Sequence, residues 1–157
     1  MDIDSLLQGW QSSGFSVWLR NSPWRYPLIE IFHLTGLVLF FGTLLIVNLR
    51  LFGVVLKRQP ASQVASDLWP WALTGLAIQF VSGPLMFIAE PPKYFDSTAF
   101  RFKLSFLVIA LLVHFTFYRR SALKADEEAG RAKVAAWLSL GLWIGVILSG
   151  LAIELVA

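Results

Sequence analysis

The sequence predicts an all-α membrane protein: a four-span antiparallel bundle preceded by an N-terminal amphipathic interfacial helix. Apolar runs at about 28–49, 69–89, 102–118 and 134–156 each approach the ~20 residues needed to cross a hydrocarbon core. The 157-residue chain is 57% hydrophobic, above the roughly 45–50% of soluble domains. Its 7 Trp and 13 Phe suit side chains that meet a headgroup layer.

Charge and cysteine content exclude several classes. A net charge of +3 and a pI near 9.5 would suggest nucleic acid in a soluble protein. Here the basic residues fall between apolar runs, so anionic headgroups and topology explain them instead. With no Cys there is no disulfide, thiolate metal site or iron–sulfur cluster. The acidic start, MDIDSLLQGW, lacks the basic region of a signal peptide.

Taken in order, residues 1–27 form an interfacial segment and 28–157 the bundle. Ile3, Leu6, Leu7, Trp10, Val17 and Trp18 suggest a broken amphipathic helix on the membrane surface. NSPWRYP, 21–27, breaks the chain with two prolines. Span 1 ends at Arg50, Lys57 and Arg58, and Gln59-Pro60 turns the chain. Residues 61–69 read as a short amphipathic turn leading into span 2, with Pro70 in that span's first turn, where a missing N–H costs little. Ser82-Gly83-Pro84 predicts a kink. EPPKYFDST, 90–98, reads as a loop and the charged stretch 119–133 as a helical, solvated connection. Eight of the 13 Lys and Arg lie in 50–58 and 119–133, which places both termini outside.

Small residues set the packing. Gly36 and Gly42 on span 1, Gly75, Ser82 and Gly83 on span 2, and Gly141, Gly145, Ser149 and Gly150 on span 4 allow the close backbone approach that helix pairing in lipid requires. On span 4 the stripe serves either packing within the bundle or a homo-oligomer face. Spans 2 and 4 share a faint repeat, WALTGL from Trp71 and WLSLGL from Trp137, as two hairpins of one orientation would.

The chemistry rests on two histidines, His33 and His114, both inside spans, where ionisable residues tend to mark function. In a cysteine-free apolar bundle the cofactor that best uses them is haem b, which needs neutral imidazoles, a slot for a flat ring and cations for its propionates. Arg25, Arg101 and Lys103 lie on the side to supply those cations. Helix rise puts His33 and His114 at levels roughly 14 Å apart, which favours separate sites over one shared haem. Met86 is near His33 in depth and offers a second axial ligand; a Met facing core or lipid is the plainer reading.

A metal site competes. Glu30, Glu90 and Glu154 come at the outer ends of spans 1, 2 and 4, and Glu30-x-x-His33 lies on one helical face. With His33, and with His114 as a further candidate ligand, they could hold copper, zinc or iron. The structural alternative pairs these acids with Arg25, Lys93, Arg101 and Lys103 at the headgroup level.

FHLTG in span 1 (32–36), SGPLMFIAEPPKYF ending span 2 (82–95) and AFRFKL opening span 3 (99–104) resemble a family of small bacterial four-span proteins over most of 28–120. In architecture the chain is more distantly similar to copper-resistance-D-like and b-type cytochrome membrane domains. The resemblance implies a bacterial inner-membrane location and, through the cytochrome analogy, ligand roles for His33 and His114. The expected function is a haem-b-binding subunit that passes electrons between a quinone or periplasmic donor and partner redox subunits. The alternative is a non-redox structural or metal-handling subunit.

Overall fold

The computed structural model describes residues 3–156, and the side chains of Asp4, Glu154 and Val156 lie outside the described residues. Every regular element among the described residues is helical. Four helices, Arg25–Leu51, Ala61–Ala89, Thr98–Leu123 and Ala129–Ile153, are long and apolar enough to cross a membrane. The chain is an all-α four-span bundle in contact with the lipid bilayer.

The N-terminal segment is two helices, α1 (Ile3–Gln11) and α2 (Gly14–Arg20). The break falls at Ser12-Ser13, where the Ser13 hydroxyl accepts the Ser16 N–H at 3.3 Å and caps α2. Leu7 and Leu19 are buried while Trp10, Phe15 and Trp18 are exposed. A buried hydrogen bond of 3.1 Å from the Ser16 hydroxyl to the Ala89 carbonyl ties α2 to the bundle.

The first span, α3 (Arg25–Leu51), stops for a reason the basic residues did not reveal. Gly53 adopts φ 77°; its N–H bonds the Arg50 carbonyl and the Val54 N–H bonds the Leu49 carbonyl, each at 2.9 Å. This is a Schellman stop, which favours glycine in the left-handed conformation.

The second span, α4 (Ala61–Ala89), absorbs the stretch expected to be a separate leading-in turn. Pro70 therefore lies inside the helix, not in its first turn. The cause is a long-range cap. The Asp126 carboxylate accepts the backbone N–H groups of Ala61 at 2.9 Å and Ser62 at 3.1 Å, together with the Ser62 hydroxyl. Those orphan donors let the helix start two turns early.

The expected loop after span 2 instead contains a short helix, α5 (Pro91–Asp96). Pro91 opens it, since a missing N–H is harmless at a first helical position. The third span begins with α6 (Thr98–Val113), capped by Ser97. It widens into a π-helical turn at His114–Tyr118 and closes as α7 (Arg119–Leu123). The charged stretch is thus split: 119–123 finishes span 3, 124–128 turns, and α8 (Ala129–Val156) begins the last span.

Two close crossings hold the bundle. A Cβ on Gly75 would lie 2.5 Å from the Phe40 backbone nitrogen and 2.8 Å from the Gly36 carbonyl, so α3 and α4 meet backbone to backbone. On α8, a Cβ at Gly145 would lie 2.9 Å from the Phe106 ring of α6. The hairpin pairs α3–α4 and α6–α8 are the most extensive contacts, and α3 also packs on α8. By contrast α4 meets the third span chiefly through α7. The bundle is therefore closed at the end carrying the 52–60 and 124–128 connections, here the loop end. Between α4 and α6 it parts toward the opposite, terminus end. Gly42 and Gly141 face no neighbouring atom within 4 Å, so only part of each small-residue stripe is used within the bundle.

Candidate functional site

The parting of α4 from α6 leaves a cavity of about 510 Å³ in the terminus half, within the ~300–1,000 Å³ range of small-molecule and cofactor sites. Leu37, Phe40, Leu76, Phe87, Phe100, Leu107, Trp143 and Val146 give it apolar walls, and Tyr94 and Phe95 of α5 contribute at one end. Side-chain heteroatoms come from His33, Gln79, Met86 and Lys103, and also from the Tyr94 phenol and the Trp143 indole nitrogen.

The proton positions on His33 follow from its partners. Ser82 Oγ lies 2.6 Å from the Ile78 carbonyl and 2.8 Å from His33 Nδ1. A carbonyl can only accept, so the single hydroxyl hydrogen of Ser82 points at Ile78. His33 Nδ1 must then be the donor to Ser82, and in the neutral ring the lone pair is on Nε2. Nδ1–H held by a neighbour and Nε2 left with its lone pair is the arrangement that orients a ligating histidine. The Gln79 amide donates to the His33 backbone carbonyl at 2.8 Å and fixes that turn of α3 to α4. Gly83 lies opposite the ring, where a Cβ would make an ordinary contact of 3.6 Å with His33 Cε1.

His114 is placed otherwise. It is buried and surrounded by rings: Tyr118 stacks at 5.1 Å, Trp69 at 5.7 Å, and Phe40 and Trp143 meet it edge-on at 5.5 and 6.1 Å between centroids. The cavity against it is only about 30 Å³, too small for a macrocycle. Phe40 and Trp143, 4.4 Å apart edge to face, stand between His114 and the large cavity, whose wall both also form. The two histidines therefore occupy separate levels. Phe40 is seven residues, or ~10 Å, along α3 from His33.

Of the three cations expected to meet propionates, Lys103 lines the cavity. Its Nζ lies 3.5 Å from the position of a Cβ on Gly150. Arg25 instead donates to the Trp18 carbonyl at 2.6 Å and lies 4.0 Å over the Trp18 ring, which locks α2 onto α3. Arg101 is exposed and reaches the Phe95 carbonyl at 3.4 Å. Glu90 forms an ion pair with Lys93 at 3.9 Å. Among the described residues no three His, Asp or Glu side chains come together to hold an ion, so Glu30, His33 and Glu90 do not assemble such a site. The Glu154 side chain lies outside the described residues. Sequence reasoning missed Ser82 as the partner of His33, and missed Gln79 and Trp143 altogether. Ser82 carried a signal only in its neighbours, Gly83 and Pro84, which marked a kink.

These features define a class: a four-span helical membrane protein with an apolar, histidine-bearing cavity open between two of its spans. Residues 27–155 match the model of a family of unknown function, DUF6644, and the chain belongs to that family. No curated protein and no solved structure matches it.

Proposed function

We propose that this chain is a haem-b-binding membrane subunit for electron transfer, with His33 as the axial ligand. The observation that carries the reading is the tautomer of His33. Its Nδ1–H is committed to Ser82, while Nε2 keeps its lone pair at the wall of a cavity of about 510 Å³. The donor set suits the group. A neutral imidazole binds iron, the apolar walls exclude water, and the Lys103 ammonium favours a propionate. Met86, which also lines the cavity, would be the candidate for a second ligand. Bound haem would supply one-electron chemistry. The chain's own residues would orient it, shield it and set its potential through ligand identity and burial.

A membrane-borne quinone and other redox subunits are the partners this reading implies. The excess of Lys and Arg at the loop end favours an inner-membrane orientation with both termini outside. The test is a reduced-minus-oxidised spectrum of protein purified in mild detergent from haem-replete cells. A Soret and α-band difference at near-stoichiometric haem is expected. A featureless difference spectrum, with no haem by pyridine extraction, would refute the reading and leave the non-redox alternative.

A further inference from the structure

We infer that the loop half of the bundle holds a hydrated polar column through which water reaches His114 from the surface bearing the charged connections. The observation is a set of buried polar side chains with no hydrogen-bond partner among the described residues: both amide atoms of Asn48, both ring nitrogens of His114, and the hydroxyls of Tyr118, Ser121 and Ser139. More than about 90% of buried polar groups in native proteins are hydrogen-bonded. Asn48 is 0% exposed, and Ser121 and Ser139 are 1% exposed, so bulk solvent does not satisfy them where they stand.

Their depths form a series. His114 meets Phe40 and Trp143 at one level. Tyr118 and Ser139 each lie four residues from that level, ~6 Å toward the loop end. Ser121 and Asn48 are seven and eight residues from it, ~10–12 Å in the same direction. Four helical segments thus bring neutral donors and acceptors to successive depths between the loop surface and one imidazole. The cavity of about 30 Å³ against His114 is also bordered by Thr43, Tyr118 and Arg119. It exceeds the ~10–15 Å³ that a water needs, and it has polar partners to offer. The π-helical turn at His114–Tyr118 widens the backbone at the same place, as π-turns tend to do at functional positions.

The column ends at His114. On the terminus side the Phe40–Trp143 pair closes it. Facing the imidazole are the Tyr118 phenol from its own span and the Arg119 guanidinium, which lies 3.5 Å over the Trp69 ring. The cavity wall from α3 and α4 carries no ionisable group.

The chain has 2 His, so ¹⁵N-histidine labelling with His33→Gln leaves one imidazole to observe. In liposomes, solid-state NMR transfer of magnetisation from water to the His114 ring nitrogens reads the hydration directly. We expect clear transfer and rapid exchange of the ring N–H for deuterium, and loss of both in Asn48→Leu. Ser139→Ala, a smaller change, should weaken them and serves if Asn48→Leu fails to fold. A His114 ring that receives no water magnetisation, or transfer unchanged in Ser139→Ala, would overturn the inference. So would loss of transfer on adding sodium, which would mark a cation site instead.

Discussion

His33 and His114 lie in one bundle, yet their surroundings differ in kind. His33 gives one ring nitrogen to a specific partner and keeps the other at the wall of a large apolar cavity. His114 has no partner among the described residues and sits in a tight cage of Phe40, Trp69, Tyr118 and Trp143. The difference comes from helix packing, not from the histidines. Where α4 leaves α6 the bundle opens and a ligand-sized space forms. Where α4 meets α7 it closes, and only water-sized space remains. The imidazole beside the first space has room for a large group; the one beside the second has room only for water.

The largest expected effect comes from destroying the crossing on which both levels depend. In Gly75→Ala the new methyl would collide with the Phe40 backbone 2.5 Å away, where no flexible side chain can yield. Overpacking of this kind costs about 1–3 kcal/mol or more. Reversible unfolding in detergent should show that loss, along with disturbance of both histidine levels. Ser82→Ala separates the levels instead. Without its acceptor for Nδ1–H the His33 ring loses its fixed tautomer, and removing such an orienting partner typically weakens metal binding ~10–100-fold. Haem titration should register this while the His114 signals stay put.

Smaller effects belong to the ends of the bundle. Asp126→Ala uncaps α4 and should cost about 1 kcal/mol, as losses of helix caps do. The bond from the Ser62 hydroxyl, then that from the Ala61 N–H, holds the Asp126 carboxyl below the usual carboxylate range. Its contribution is therefore full above the unfolded value of about 3.9. It is lost as pH falls through the lower folded value, so the wild type, but not Asp126→Ala, should show this step in acid unfolding. The smallest effect is expected for Arg25→Gln. It removes the stack on Trp18, worth ~0.5–1 kcal/mol at exposed sites, and should leave haem affinity unchanged because Arg25 does not line the cavity.

The spans were legible in sequence because a bilayer demands long apolar runs, and so was the nearness in depth of His33 and Met86, with Lys103 as a cation on the same side. What escaped depended on contacts distant in sequence. Asp126 caps a helix that begins 65 positions earlier, so 61–69 looked like a separate turn. Ser82 finds His33 across a register set by Gly36 against Gly75, and nothing local distinguishes it from any small residue near a proline. The π-helical turn has no composition signature in HFTFY. The enclosure of His114 arises from aromatic residues on α3, α4 and α8, which the pattern of one span cannot reveal.

The most direct test is a haemin titration of purified wild type, His33→Ala and His114→Ala in detergent, followed at the Soret band. Saturable binding near one equivalent in wild type and His114→Ala, with none in His33→Ala, is the predicted result. Equal binding by all three proteins, or loss confined to His114→Ala, would contradict the account.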